Sequence, residues 1–197
     1  MREMGKIEIR GLSKAFGEKQ VLEDVSLVLP EGSVTAILAP SGFGKTTLVR
    51  ILLGLEKQDA GEIRGTEGLR MAAVFQEDRL CEDFGAIANI RLAAPTCPRA
   101  DIRKALQDFG LEDAGDGPVR AFSGGMKRRV ALLRALLSGA DLIVLDEPFH
   151  GLDDALREQV IARTAVYCKG KTVVLVTHDL QEAEKMGAGQ IVHLDNM

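Results

Sequence analysis

The sequence has little of what several common protein classes require. It contains no tryptophan and a single tyrosine, and aromatic residues make up only 4% of its 197 residues. Its three cysteines are an odd number at unrelated spacings, which favours reduced thiols over a disulfide framework or a zinc site. No apolar run is long enough to cross a bilayer, and a strand pattern rather than a signal peptide follows the first residues. We therefore expect a cytosolic chain that reaches a membrane only through a partner.

Net charge is also small. The chain has 25 basic and 29 acidic residues, so it lacks the broad basic footprint that nucleic-acid-binding proteins carry. We expect no nucleic-acid partner. A chain of 197 residues is long enough for one sizeable core, and no internal repeat is visible. The length therefore predicts one domain over residues 1–197.

The most informative stretch lies at residues 37–47. An apolar strand pattern at 34–38 leads into a turn rich in glycine, then Lys45-Thr46-Thr47, then an apolar helix pattern. This order is typical of a phosphate-binding P-loop, in which backbone N–H groups and a helix N-terminus receive the anion. Lys45 would reach the β- and γ-phosphates of a nucleotide, and the Thr46 hydroxyl would bind Mg²⁺. The predicted ATP-binding residues of this loop are Pro40, Ser41, Gly42, Phe43, Gly44, Lys45, Thr46 and Thr47.

Two positions of this loop depart from the expected pattern. Ala39 stands where the P-loop pattern has its first glycine, and Phe43 is a bulky residue inside the loop. If position 39 needs a positive φ, alanine costs about 1–2 kcal/mol there. One alternative is therefore a glycine-rich turn without a ligand, and another is a degenerate subunit that does not hydrolyse nucleotide.

A second motif ends a buried strand pattern. The apolar residues 142–145 are followed by Asp146-Glu147-Pro148, and continuous apolar runs are typical of parallel strands covered on both faces. Carboxylates at the carboxyl end of such a strand point into the crevice where α/β sheets bind ligands. Asp146 is placed to hold Mg²⁺ through its water shell, and Glu147 to polarise an attacking water. The alternative is a strand that simply ends in a polar turn.

A third motif, Ser123-Gly124-Gly125, opens an amphipathic helix. Serine is a preferred helix N-cap, and the two glycines leave the first N–H groups accessible. The motif thus predicts a second helix terminus that can receive an anion.

At this point the chain resembles the nucleotide-binding subunit of ABC transporters, whose signature is Leu-Ser-Gly-Gly-Gln. Phe122 and Met126 depart from its first and last positions, whereas the Ser-Gly-Gly core is intact. The resemblance covers nearly the whole chain, with seven motifs in the family order. It implies an ATP hydrolase that uses Mg²⁺.

The resemblance also implies roles for four residues outside these motifs. Phe16 would stack on adenine, and Gln76 would contact Mg²⁺ and the attacking water and move with the membrane partner. Asp153 would lie in the loop that crosses to the opposite subunit, and His178 would read the γ-phosphate. The implied catalytic residues are Glu147, His178 and Gln76, and the implied metal residues are Thr46, Gln76 and Asp146.

The fold class expected from the pattern and the resemblance together is α/β, of the P-loop NTPase type. It has a mixed central sheet, an amino-terminal antiparallel β-subdomain and an inserted α-helical lobe at about residues 77–138 that carries the signature motif. Expected strands cover 6–12, 25–29, 34–38, 61–64, 71–75, 173–176 and 190–194. Expected helices cover 46–53 and 101–109.

The resemblance implies several partners. The Ser123-Gly124-Gly125 motif of one subunit would close over ATP held by a second copy or a paralogous ATPase subunit. A groove at residues 77–91 would receive a cytoplasmic helix of an integral membrane permease, which would hold the chain at the cytoplasmic face of the membrane. Stretches 74–80 and 149–157 resemble the nitrate, sulfonate and taurine importers, for which an extracytoplasmic solute-binding protein is a further partner. The alternatives are the ATPase of an exporter or lipoprotein-release complex, and a soluble ABC-type ATPase acting on nucleic acid or ribosomes.

Overall fold

Two β-sheets and the helices around them position the predicted motifs. The computed structural model describes residues 5–40, 42–112, 114 and 117–194. The strands are β1 (Ile7–Phe16), β2 (Lys19–Leu29), β3 (Val34–Leu38), β4 (Ala60–Arg64), β5 (Met71–Val74), β6 (Leu142–Asp146), β7 (Thr172–Thr177) and β8 (Gln190–His193). The helices are α1 (Lys45–Leu52), α2 (Ala86–Ala93), α3 (Arg99–Asp108), α4 (Gly124–Leu136), α5 (Asp154–Cys168) and α6 (Leu180–Lys185), with a 3₁₀ turn at Val119–Ala121.

The strand order confirms the predicted α/β P-loop fold. Strands β2, β1 and β4 form an antiparallel sheet, and β5, β6, β7, β3 and β8 form a five-stranded sheet whose ladders are all parallel in the described residues. Antiparallel and parallel strands are thus separated into two sheets rather than combined in the central one. The reason is visible in the burial pattern: β3, β6 and β7 are buried throughout, as parallel strands between two layers are, whereas β1 alternates.

The parallel sheet separates two cores. Successive residues of a strand point to opposite faces, so Ile143 and Leu145 pack with the helices α2 to α5, whereas Leu142 and Val144 pack with α1 and the antiparallel sheet. All four of these side chains are fully buried. The sheet is therefore held from both sides, which fixes the position of the residues at its edge.

Strand register brings the motifs together. Leu38 at the end of β3 pairs with Thr177 at the end of β7, and Asp146 at the end of β6 pairs with Val176. The loops that follow β3, β6 and β7 consequently leave the sheet side by side. A ligand site at this edge is the usual arrangement in open α/β sheets.

Some elements differ from the prediction. Strands β1 and β2 are longer than expected, because β1 continues through irregular pairing near Gly11 as far as Phe16. Helices α2, α5 and α6 were not predicted. Helices α2, α3 and α4 lie between β5 and β6, in the part of the chain where the sequence predicts a lobe, and we call them the helical insertion. Within the described ranges, no helix has the length and apolar character that a membrane-spanning segment needs.

Candidate functional site

The P-loop is shaped by glycines between β3 and α1. Gly44 caps α1 in the left-handed region with φ 77°, and a Cβ there would lie 2.6 Å from the Val21 carbonyl oxygen. Gly42 also has a positive φ, of 89°. Only glycine adopts such geometry without strain or collision. No described side chain caps α1, so its first N–H groups remain for a ligand.

Lys45 is buried and bonded to its own loop. Its Nζ donates to the Ala39 carbonyl at 2.6 Å and to the Pro40 carbonyl at 3.1 Å. It also lies 3.6 Å from Glu147 Oε1. Two carbonyl groups of the loop therefore hold the ammonium group in place.

The backbone strain considered at Ala39 is absent. The described non-glycine residues with positive φ are Asp24, Arg79 and Glu147, and Ala39 is not among them. Its side chain is buried and packs with the core on the α1 side of the sheet. A glycine is therefore not required at position 39, and the expected penalty of alanine does not apply.

Asp146 and Thr46 place side-chain oxygens next to each other. The Thr46 hydroxyl donates to Asp146 Oδ2 at 3.1 Å, while Asp146 Oδ1 is buried without a hydrogen-bond partner in the described part of the chain. Burial raises the pKa of Asp146, and the hydrogen bond from Thr46 acts in the opposite direction. An orphaned carboxylate oxygen beside a hydroxyl fits a hard divalent cation such as Mg²⁺.

Glu147 has an unusual backbone. Its φ of 47° places a non-glycine residue in the left-handed region, and its N–H donates to the Val176 carbonyl at 2.9 Å. Both carboxylate oxygens lie near His178 Nδ1, at 3.1 and 3.0 Å. Strained residues of this kind cluster at functional sites, since the surrounding structure must hold them there. Here the bond from β7 and the His178 ring hold the carboxylate beside Lys45.

Contacts thus connect five of the predicted residues in one cluster: Lys45, Thr46, Asp146, Glu147 and His178. Phe16 ends β1 with half of its side chain exposed, and Lys14 Nζ lies 5.0 Å from its ring centroid. Gln76 is exposed and lies just beyond β5, after Phe75. In the loop, Gly42 and Phe43 are exposed, Thr47 is half-buried, and Ser41 lies outside the described residues.

The signature motif stands apart from this cluster. Ser123 caps α4 by accepting a hydrogen bond from the Met126 N–H at 3.2 Å, and Asp153 caps α5 in the same way. Among the described residues, no hydrogen bond or ion pair connects Ser123, Gly124 or Gly125 to the P-loop cluster. One chain therefore carries two separate features that the sequence predicts to receive phosphate, and we call them the two half-sites.

Sequence reasoning missed a network behind His178. Arg157 Nη2 lies 2.6 Å from both Asp179 Oδ2 and Glu182 Oε1, and Thr177 donates to Glu182 at 2.5 Å. This network ties α5, whose N-cap is Asp153, to the turn that carries His178. No local spacing could reveal it, because Arg157 is more than 20 positions from its partners in the chain.

One family model and several curated proteins match most of this chain. The family model described as ABC transporter matches residues 22–150. An aliphatic sulfonates import ATP-binding protein of Nocardia farcinica is 40% identical, over 96% of this chain and 78% of the relative. The sulfate/thiosulfate import ATP-binding protein of Escherichia coli K12 is 38% identical, over 94% and 57%. The Nod factor export ATP-binding protein I of Ralstonia nicotianae is 35% identical, over 96% and 64%.

A solved structure supports the fold. The structure of a bacterial Atm1-family ABC exporter with ATP bound superposes with a TM-score of 0.83 and 21% identity, covering 99% of this chain and 38% of that chain. The present chain spans between 57% and 78% of the length of the three curated relatives named above.

Proposed function

This chain belongs to the ABC transporter family of ATP-binding, ATP-hydrolysing proteins, and we propose that it hydrolyses ATP to drive transport through membrane permease subunits. The observation that carries this proposal is the cluster of Lys45, Asp146, Glu147 and His178 where three parallel strands end. The cluster combines a cation for phosphate, oxygen ligands for a metal and a carboxylate base.

The groups of the cluster have distinct roles in the proposed reaction. ATP phosphates displace the loop carbonyls from Lys45, whose ammonium then faces the β- and γ-phosphate oxygens. Glu147 accepts the proton of the attacking water as the water oxygen bonds to the γ-phosphorus and the bond to ADP breaks. His178 holds the Glu147 carboxylate and faces the γ-phosphate. Phe16 provides the exposed ring on which adenine stacks.

Mg²⁺ is the proposed cofactor. Thr46 and Asp146 would hold it, with Gln76 approaching from the end of β5. When bound, the ion neutralises charge on the phosphate oxygens. The orphaned Asp146 oxygen supports this assignment, since a buried carboxylate oxygen is otherwise costly.

The second half-site implies a dimer. We propose that Ser123, Gly124 and Gly125 of one subunit close over ATP on the P-loop of another copy or a paralogous subunit, with Asp153 near the crossing point. ATP contacts both subunits only in the closed state, so its binding shifts the population toward the dimer.

The membrane partner would dock between β5 and the helical insertion. A groove of about 360 Å³ lies there, lined by Met71, Ala73, Ala93 and Arg134 among others. Phe84 lies in the predicted docking stretch 77–91 and Leu92 follows it; both are apolar and about half exposed, at 48% and 58%, although the residues lining the groove lie outside that stretch. We propose that a permease helix covers this apolar surface and places the chain at the cytoplasmic face of the membrane.

An importer is the preferred type of transporter. Relatives at 38–40% identity are named for import of sulfonates or of sulfate and thiosulfate, which agrees with the likeness of stretches 74–80 and 149–157. An importer would work with an extracytoplasmic solute-binding protein. The relatives named for Nod factor export keep an exporter as the alternative outcome.

Reconstitution tests the proposal. The isolated chain should hydrolyse ATP slowly, and the permease with which it co-purifies from membranes should change that rate. Gln76→Ala should reduce this response more than it reduces ATP binding. Stimulation that also requires an external binding protein identifies an importer, and stimulation without it identifies an exporter. Activation by DNA, RNA or ribosomes, with no membrane partner recovered, would contradict the transport role.

A further inference from the structure

The link between β5 and the helical insertion, residues 75–85, is held by a buried arginine. Arg128 of α4 is only 4% exposed. Its Nη1 donates to the Phe75 carbonyl at 2.5 Å and its Nη2 to the Gln76 carbonyl at 2.6 Å. The two nitrogens of one planar guanidinium thus fix two successive peptide groups, including that of Gln76.

The rest of this link is bound in the same manner. Arg134, two turns further along α4, donates to the carbonyls of Asp78 and Arg79 at 3.0 and 2.7 Å. Asn89 of α2 is fully buried and bonds to both the N–H and the carbonyl of Cys81. All three side chains belong to the helical insertion. The link is therefore fastened to the insertion, although β5 belongs to the central sheet.

Charge and burial make the bonds of Arg128 difficult to replace. Hydrogen bonds from a guanidinium are charge-assisted, and its fork holds two acceptors in fixed geometry. Burial lowers the pKa of Arg128, and the nearby Asp78 carboxylate at 3.3 Å opposes that effect. A buried cation left without these acceptors would be strongly destabilised, so the peptide at Gln76 follows α4 when α4 moves.

We propose that Arg128 is a positioning residue: by fixing the Gln76 peptide to α4, it sets where the Gln76 side chain meets the metal and makes that position depend on the signature helix. Ser123 caps the same helix five residues earlier, so the signature motif and Gln76 move as one unit. This inference rests on the proposed metal contact of Gln76.

Isothermal titration calorimetry with a non-hydrolysable ATP analogue tests this inference without relying on activity. The quantity measured is the gain in analogue affinity when Mg²⁺ replaces EDTA. Gln76→Ala should reduce that gain about tenfold, which is typical for loss of a group around a bound metal. Arg128→Lys, which keeps the charge but loses the fork, should reduce it to a similar extent. Affinity in EDTA should stay unchanged in both variants.

The double variant shows whether Arg128 acts through Gln76. Two residues that act through one contact are not additive, so Arg128→Lys should have no further effect in the Gln76→Ala background. Arg129→Lys is the matched control. Arg129 is the next residue of α4, buried as well, and it donates to the Phe109 and Gly110 carbonyls within the insertion. Its substitution should lower Tm without changing the gain from Mg²⁺. If Arg128→Lys does not fold, Arg128→Gln replaces it.

The outcomes are distinct. An unchanged Mg²⁺ gain in Gln76→Ala would overturn the metal contact proposed for Gln76 and, with it, this inference. A reduced gain in Gln76→Ala but not in Arg128→Lys, or effects that add in the double variant, would overturn the inference alone. An equal reduction in Arg129→Lys would show that any loss of arginine on α4 has this effect.

Discussion

His178 Nδ1 lies 3.0 Å from Glu147 Oε2 and 3.1 Å from Glu147 Oε1, so the ring contacts the whole carboxylate edge. Lys45 approaches the same carboxylate at 3.6 Å and is otherwise bonded to loop carbonyls. The proposed base and the proposed phosphate-binding cation therefore contact each other in this structure. In the proposed reaction, a triphosphate would replace these internal contacts with phosphate contacts and would leave Glu147 free to meet the attacking water.

Loss of the Lys45 ammonium should strongly weaken nucleotide binding. We expect Lys45→Ala to weaken ATP binding by at least about tenfold, because a charge-assisted contact contributes roughly 1.5–3 kcal/mol. Lys171→Ala is the matched control, since Lys171 also donates to a backbone carbonyl, that of Leu136, but away from the cluster. Calorimetry should show normal ATP affinity in this control. Normal affinity in Lys45→Ala would contradict the P-loop assignment.

The exposed ring of Phe16 should contribute to binding rather than to folding. Stacking of a base on an aromatic ring is worth roughly 1–3 kcal/mol in nucleic-acid sites, so Phe16→Ala should weaken ATP binding about fivefold or more. Phe84→Ala removes a similarly exposed ring from the segment just before α2 and should leave ATP affinity unchanged. Thermal unfolding of both variants should remain cooperative. A Phe16→Ala chain that fails to fold would identify the ring as a structural core residue instead.

The burial of Asp146 should appear in the pH dependence of stability. Burial raises the pKa of this carboxyl above its ordinary value of 3.8, so the folded state binds the proton more tightly than the unfolded chain. The contribution of the Asp146 carboxyl group to the stability of the folded state is complete below pH 3.8 and is lost as pH rises through its raised pKa. Without nucleotide or metal, Asp146→Asn should therefore be more stable than wild type at pH 7, by about 1 kcal/mol or roughly 2–4 °C in Tm. The difference should shrink toward pH 4.

Asp141 provides the control of opposite sign. Hydrogen bonds from Arg70 lower the pKa of Asp141, so its contribution is present above its ordinary pKa and is lost as pH falls through the lowered value. Asp141→Asn should accordingly be less stable than wild type at neutral pH and approach it in acid. Tm measured from pH 3 to pH 8 for the three proteins checks both signs. Parallel curves for Asp146→Asn and wild type would contradict the burial effect.

The cluster could be predicted where its chemistry is local in sequence. Gly44-Lys45-Thr46 comes at the end of the loop after the buried strand β3, Asp146-Glu147 lies at the end of the buried strand β6, and parallel strands bring such ends together. Phe16, Gln76 and His178 have no comparable local signal, and their assignment came from the resemblance of the whole chain to a family. The roles of Phe16 and Gln76 remain predictions that the variants above test, and the role of His178 also remains a prediction.

The remaining features of the fold and of the candidate site depend on contacts between distant parts of the chain. Arg128 and Arg157 are charged residues on helices, so the sequence alone predicts that they are exposed to solvent. Their roles follow instead from their contacts, which are backbone carbonyls for Arg128 and acidic side chains for Arg157. Helix α2 was missed because its short apolar run is ambiguous without its packing partners. The energetic cost of alanine at position 39 also depends on the backbone. The observed backbone shows that position 39 does not need glycine, so this cost does not arise.

The proposed dimer joins the two half-sites. It is tested most directly by measuring the molecular mass of the Glu147→Gln variant in solution with Mg²⁺ and ATP. Glutamine keeps the shape of Glu147 but cannot accept a proton, so hydrolysis should fall by about 10²–10⁴-fold while ATP still binds. Size-exclusion chromatography with light scattering should then show twice the 21.3 kDa of one chain with ATP, and a single chain without it. Adding Ser123→Asp, which keeps a good N-cap but repels phosphate, should return the protein to monomer with ATP still bound. A Glu147→Gln protein that stays monomeric at saturating ATP, or a dimer unaffected by Ser123→Asp, would contradict the account.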